Sequence, residues 1–576
     1  MKAKDVLSPS IDKTARVWLR PPMSAPRLFA TLDPFVESGA VMGRKVANAG
    51  FLDALLRVDP FDGYHFFMPS PRERDIHERL LAVRYPEAFT RGKFKVLTRR
   101  DLPAAIAATR YAVFHLSDCI TSQPRLAALR NATAQNIFPI TGTTHSLSYA
   151  AYGREFLAHL WPGATRRDAI VATSKAGRDV VRRIFDGLRL GYGLSPETHP
   201  GPEVARIPLG VDPGDWQPMA ESDRLEARAG HGIAAGAVVM LVFGRLSHSS
   251  KMDLLPLFRA VQRLLAQGVD PAALCLVAAG WTDDDAGPFL QVLEHLAANI
   301  NLPFVLIKRP TEPEKHEIFA LADIFVSLAD NPQETFGLTL LEAMAAGLPV
   351  VASDYDGYRD IVLPGRTGFL IPTVGLPDTR QRDVLAPLCY DNHTHLYLAQ
   401  GLAVDVPSLA DVLGRLTADR VLRREMGKAG RERVCREFSL ETVIERHLAL
   451  WERLAASPVP DRETLRALRH PQTLAYGEVF AGYPTEVLSD AVRLIWSRAG
   501  RAVYRGQDFP VLYAGMAGDI SLAAIRTLLF LSRSGCPGLT LAARLAVAEP
   551  ELDAAAARYH VVWALKQDLL ERQETA

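Results

Sequence analysis

Short apolar runs, bounded by glycine and proline, alternate with longer amphipathic stretches along most of this chain. That alternation constrains the fold more than any other feature. The first series is RLFATLDP (27–34), GYHFFMP (63–69), KFKVLT (93–98), YAVFHLS (111–117), NIFPITGTTHS (136–146) and AIVATS (169–174). Helical stretches such as GAVMGRKVANAGFLDALLR (39–57) and GRDVVRRIFDGL (177–188) lie between or after them. Repeats of strand, helix and strand close as a parallel sheet with helices on both faces. A stretch rich in proline and glycine, 191–218, then breaks the series and reads as a crossing between domains. A second series follows: VVMLVFGRL (238–246), LCLVAAG (274–280), PFVLIK (303–308), IFVSLA (324–329), PVVAS (349–353) and GFLIP (368–372). The predicted class is α/β. Two doubly wound, Rossmann-like domains, 26–212 and 213–455, follow an N-terminal arm at 1–25 and face one another across a cleft. Ligands of such sheets bind at the carboxyl ends of the strands.

Charge and cysteine content narrow the function. The formal net charge is +1, so no global field draws the chain to nucleic acid or an anionic surface. Cysteines 119, 275, 389, 435 and 536 show no C-x-x-C spacing and read as reduced thiols, not as a zinc site or a disulfide frame. No run approaches the roughly 20 apolar residues of a bilayer span. The first twenty-five residues lack an apolar core and are not expected to act as a signal peptide. The expected location is the cytoplasm, with membrane contact limited to its inner face.

The chemistry is concentrated in NPQETFGLTLLEAMAAGLPVVAS (331–353). This string reads as a loop at a strand's carboxyl end, then a short helix closed by Gly347, then the next strand. The amides near Phe336, Gly337 and Leu338 open the helix toward the cleft, and a helix N-terminus favours an anion. Gly337 lets the backbone come close to a ligand. Glu334 in the loop and Glu342 one turn inside the helix add two carboxylates suited to hydroxyl donors. A ligand with an anionic part and several hydroxyls, such as a sugar nucleotide, fits that layout. Taken singly, Glu334 also reads as a helix cap and Glu342 as a solvated face residue. A second string, VFGRLSHSSKMDLL (242–255), ends a strand at Gly244 and carries Arg245 and Lys251. Arg245 offers a fork and Lys251 a point charge for phosphate oxygens.

FGRLSHSSKMDLL followed by ETFGLTLLEAMAAGLPVVASDYDGYRDIV resembles the retaining GT-B glycosyltransferases of family GT4. Glu334 and Glu342 match that family's E-x7-E signature. The resemblance continues in IPLGVDP (207–213), GRTGFLIP (365–372) and the stretch 422–454, and covers roughly residues 26 to 455. It implies a nucleotide-diphosphate sugar as donor and an acceptor hydroxyl on a sugar, lipid-linked glycan or small molecule. Arg245 and Lys251 then hold the donor diphosphate, Glu342 the ribose and Glu334 the transferred sugar. Thr335, Phe336, Gly337 and Leu338 meet sugar and phosphate through their amides. Gly39 takes the place of the family's phosphate-side glycine loop, and His145 that of its active-site histidine. No metal or other cofactor is expected. Asp283, Asp284 and Asp285 read as a cap for the helix that follows them. Two other readings stay open: a GT-B sugar phosphorylase or nucleotide-sugar hydrolase, and a non-catalytic sugar-nucleotide-binding protein that recruits a partner.

The chain departs from the family in SGAVMG (38–43), in DYDGYRD (354–360) and in a long connection at 374–403, expected to overhang the cleft. Residues 456–576 lie outside the resemblance and read as a helical extension for docking or homo-oligomerisation. Leu552, Tyr559, Val562, Trp563 and Leu569 are assigned to one apolar helix face. Helix-turn-helix and winged-helix modules share this order of helices. Residues 518–576 carry six Lys/Arg and seven Asp/Glu, a net of −1, which is a poor footprint for DNA.

Overall fold

The structure, a computed structural model, describes residues 26–37, 43–216, 219–282 and 287–573. The arm 1–25, Gly39 and Asp283–Asp285 lie outside them. The chain divides into two compact units, Met1–Gln472 and Thr473–Ala576.

The larger unit contains two parallel sheets. Seven strands form the first: β1 (Leu28–Thr31), β2 (Gly63–Met68), β3 (Phe94–Thr98), β4 (Val113–Leu116), β5 (Ile140–Thr143), β6 (Asp168–Ala172) and β7 (Glu203–Arg206), in the order β3-β2-β1-β4-β5-β6-β7. Six form the second: β8 (Val238–Arg245), β9 (Leu274–Trp281), β10 (Phe304–Lys308), β11 (Ile324–Ser327), β12 (Val350–Ser353) and β13 (Gly368–Ile371), in the order β10-β9-β8-β11-β12-β13. Both orders reverse direction once, between β1 and β4 and between β8 and β11. Those switch points are where doubly wound sheets open a crevice. β8 and β9 are buried along almost their whole length, as strands covered on both faces must be.

β7 corrects one expectation. It lies inside the stretch 191–218 that reads as a plain crossing. Its four residues, EVAR, have charged, exposed ends around a half-buried Val-Ala pair and lie close to Pro202 and Pro208, so they show no apolar run or strand periodicity. β6 recruits them by pairing Ala169 to Ala172 with Glu203 to Arg206.

The chain passes between the sheets twice. Val211 donates its N–H to the Phe438 carbonyl, and Leu440 donates to the Val211 carbonyl, each at 3.1 Å. Gly210 permits this approach, because a Cβ there would stand 2.8 Å from the Phe438 oxygen. After the second passage, the helix Leu440–Ala456 lays Leu440, Ile444, Leu448 and Trp451 into the core of the first sheet, against Phe29, Leu52 and Leu55.

In the smaller unit, the helices Leu522–Ser532, Gly538–Ala548 and Ala554–Lys566 enclose an apolar core. A three-stranded antiparallel sheet accompanies them, with Arg493–Trp496 between Cys536–Pro537 and Leu570–Arg572. The apolar face of the last helix differs from the one expected. Ala557, Val561 and Ala564 point inward with Trp563, while Tyr559 and Val562 are about half exposed. Asp553 caps the helix by accepting from the Ala556 amide, and Ala557, Val561 and Ala564 pack into the core of this unit. No helix among the described residues is long and apolar enough to cross a membrane.

One core histidine gives a pH test. His77 is buried against Phe66, and neither of its ring nitrogens has a hydrogen-bond partner. Burial pushes its pKa down to about 4, below an unfolded value near 6.5. Between those values only the unfolded chain takes up this proton, so stability is lost as pH falls through the window. The slope reaches about 1.4 kcal/mol per pH unit. His77→Phe removes the penalty. Its urea stability relative to the parent chain is expected to rise from pH 8 to pH 5; an offset independent of pH would refute this.

Candidate active site

The cleft lies at the carboxyl ends of both sheets and has a volume of about 490 Å³. Its second-domain wall is built at the switch point between β8 and β11. β8 ends on Gly244 (φ +146°) and Arg245, whose exposed guanidinium donates to Ser250 Oγ at 3.2 Å. The turn after it brings Lys251 into an ion pair with Glu334, which stands in the loop after β11. Burial works to raise the Glu334 carboxyl. Lys251 and the amides of Phe336 and Thr335 outweigh it and hold the group below the usual carboxylate range. Tyr358 OH adds a bond to Glu334 Oε2 at 3.3 Å.

The helix Leu338–Ala345 opens on Gly337, whose φ is +105°. A Cβ on Gly337 would stand 2.5 Å from the Tyr358 ring, so both backbone and space exclude a side chain there. No side chain caps this helix, so its first amides remain available at the cleft. The Phe336 amide, expected among the free donors, is instead taken by Glu334 Oε1 at 3.3 Å. Thr339 Oγ1 lines the same wall, buried and without a partner.

Glu342 projects from the second turn of this helix and is almost fully buried. Lys315, from the helix Glu312–Leu321, donates to its Oε1 at 2.8 Å. Lys315 also lies over the rings of Trp216, at 5.2 Å, and Phe243, at 5.7 Å. Burial holds the Glu342 carboxyl above its ordinary value, against the pull of Lys315. Both residues line the cleft.

The first domain supplies the facing wall. His145 follows β5 and donates Nε2–H to the Ser117 carbonyl at 2.7 Å, which leaves Nδ1 with a lone pair. Burial lowers its pKa, so the ring is neutral near pH 7. Asp118, one residue past Ser117, accepts from the Ile120 amide and the Thr121 hydroxyl, each at 3.0 Å. Arg44, Tyr149 and Tyr152 complete the wall. Across the cleft's edge, Ser174 OH donates to the Thr335 carbonyl at 2.7 Å. Asp360, in the divergent DYDGYRD loop, accepts from the Lys175 amide at 2.6 Å.

The family model described as "Glycosyl transferases group 1" matches residues 223–379, the span that holds Arg245, Lys251, Lys315, Glu334 and Glu342. An alpha-maltose-1-phosphate synthase of Mycolicibacterium smegmatis is 28% identical over 295 residues, 50% of this chain and 64% of that protein. A D-inositol 3-phosphate glycosyltransferase of Geodermatophilus obscurus is 36% identical over 211 residues, 35% of this chain and 42% of that protein. The chain thus spans under two thirds of the length of both relatives. The crystal structure of a glycosyltransferase from Rickettsia africae ESF-5 superposes with a TM-score of 0.50 at 14% identity, covering 76% of this chain and all of that one. The two facing parallel-sheet domains are the GT-B architecture.

Within the segment that this model matches, the structure brings Arg245, Lys251, Glu334, Glu342 and the amide turn at 337–338 to one wall, and His145 of the first domain stands opposite. Gly39 lies outside the described residues. Lys315, Thr339, Asp118 and Arg44 escaped sequence reasoning. Lys315 stands among glutamates in EPEKHE and looks solvated; its burial is made by Trp216 and Glu342, both distant in sequence. A usable signal for Asp118 was its position directly after β4, at the first sheet's switch point.

Proposed function

We propose that the chain transfers a sugar, with retention of anomeric configuration, from a nucleotide-diphosphate sugar to an acceptor hydroxyl. The observation that carries this reading is the convergence at one switch point of two cations, an uncapped helix N-terminus and two carboxylates, one of them buried on a lysine. In this reading Arg245, Lys251 and the amides at Gly337 and Leu338 take the diphosphate as it leaves. The ribose diol bonds to Glu342, which Lys315 keeps in place. Lys251 is paired with Glu334 in the structure; a diphosphate competes for that lysine and frees Glu334 for the hydroxyls of the transferred sugar. The bond from the anomeric carbon to the phosphate oxygen breaks, a bond to the acceptor oxygen forms on the same face, and the acceptor's proton passes to a donor phosphate oxygen. His145 Nδ1 offers an acceptor for a sugar hydroxyl.

A thermal-shift screen of UDP-, GDP-, ADP- and TDP-sugars tests the reading. A donor at one hundred times its Kd stabilises the fold by about 2.7 kcal/mol. At least one is expected to raise Tm in the parent chain and to act more weakly on Lys251→Ala. No response to any of them would overturn the proposal.

The carboxylates are expected to separate kinetically. Glu342→Gln mainly raises the donor KM, because ribose contacts persist from ground state to transition state. Glu334→Gln mainly lowers kcat, since it sits beside the reacting sugar. Steady-state kinetics that show one shared signature would remove this division.

Transfer is also proposed to need no metal. The phosphate end of the cleft already holds two cations and helix amides, and a divalent ion there would be repelled. Activity is expected to survive excess EDTA; loss of activity restored by magnesium or manganese would shift the phosphate chemistry to a metal.

A further inference from the structure

The divergent connection at 374–403 leaves the second domain between two short antiparallel strands, Thr373–Val374 and Ala403–Val404. Its helix Asp391–Gln400 reaches the first domain. His395 on that helix is fully buried. Its Nδ1 accepts from the Gln333 side-chain amide. With its proton on Nε2, the ring donates to Ser148, whose hydroxyl is 2.9 Å and carbonyl 3.2 Å away. The Tyr149 ring meets it edge-on with centroids 5.4 Å apart. The His395 carbonyl accepts from the Asn331 side chain at 3.5 Å, and the same Asn331 amide donates to the Ser249 carbonyl. One turn earlier, Asp391 accepts the Ala150 amide at 3.0 Å.

Two loops therefore meet at one imidazole, and a third joins them through Asn331, which bridges the His395 carbonyl to the Ser249 carbonyl. Ser148 is three residues after His145, Gln333 directly precedes Glu334, and Ser249 is two residues before Lys251. We propose that His395 is a positioning residue that fixes the first-domain loop 145–150 against the donor loops 247–252 and 331–336. Through it, a nucleotide diphosphate seated on the donor loops orders the wall where the acceptor must stand. The proposal rests on the functional reading above for the identity of the ligand, while the joining of the loops stands on geometry alone. The two ring bonds are part-buried around a fully buried imidazole, and losing either leaves a ring nitrogen unsatisfied, so the two loops are stable together or loosen together.

Hydrogen–deuterium exchange on the full chain tests this, with His395→Phe (ring retained, bonds lost), His395→Gln (donor and acceptor retained) and Gln333→Ala (the donor arm alone cut). Without nucleotide, His395→Phe is expected to speed exchange about tenfold in 146–152 and 331–336 together, and His395→Gln to recover most of the protection. UDP, GDP and ADP then serve as probes. In the parent chain, a diphosphate that protects 331–338 is expected to protect 146–152 as well. In His395→Phe and Gln333→Ala, only the donor loops gain protection. Exchange that rises in 388–400 alone, or acceptor-loop protection that survives both substitutions, overturns the proposal. If His395→Phe does not fold, Gln333→Ala decides. If no diphosphate protects any segment of the parent chain, the functional reading falls, and the comparison without nucleotide still decides whether His395 joins the loops.

Discussion

Lys251→Ala is expected to lower kcat/KM by ~2–4 kcal/mol, roughly 30- to 1000-fold. Two effects add. The leaving diphosphate loses a cation at the point where negative charge develops, and Glu334, partly buried, loses the partner that holds it ionised. Arg245→Ala is expected to fall in the same range but to act more through the donor KM. Arg245 is exposed, and its hydrogen bond to Ser250 can be replaced by water. Near-normal kinetics in both variants, with the fold intact, would remove these residues from the phosphate site.

The second large effect concerns stability. Arg130 and Asp168 form a buried bidentate pair, with Nη1 to Oδ1 at 2.6 Å and Nη2 to Oδ2 at 3.1 Å. Arg130 also donates to the Phe138 carbonyl and Asn131, and Asp168 accepts the Thr165 amide and hydroxyl. Asp168→Leu strands a guanidinium in the core and is expected to cost about 3–5 kcal/mol, a large share of a typical folding margin. Arg130→Met with Asp168→Leu leaves no stranded charge and is expected to cost less than either single change. Urea unfolding of the four proteins measures the cycle; additive losses would show that the pair acts as two independent groups. Asp168 begins β6, at the end of the sheet opposite the cleft. Nucleotide binding is therefore expected to persist wherever the variant folds.

Much of this arrangement is legible in the sequence. β8, β9, β11 and β12 are continuous apolar runs closed by glycine or a turn, and a strand buried on both faces writes its own signal. Gly337 and Gly347 mark the two ends of the helix that carries Glu342, with φ of +105° and +80°. Legibility ends where neighbours distant in sequence create the environment. β7 is a strand because β6 has an open edge. Lys315 is buried because Trp216 and Glu342 close over it. His395 sits in a segment whose only sequence signal is its length, and its partners come from two other loops, one in each domain. Tyr559 and Val562 fit the apolar periodicity of their helix, yet the core takes the smaller face of Ala557, Val561 and Ala564 and leaves them outward.

The paired crossings at Val211 and Leu440 bear on how the cleft changes width. A single tether would let one domain swivel freely on the other. Two tethers bonded side by side define a line, and rotation about that line is the one motion that stretches neither. Gly210 keeps the two pivots close, so the line is short and the lever arms to the cleft's mouth are long. A small angular change at these pivots is then magnified where Ser148 faces His395, while residues near the pivots scarcely shift.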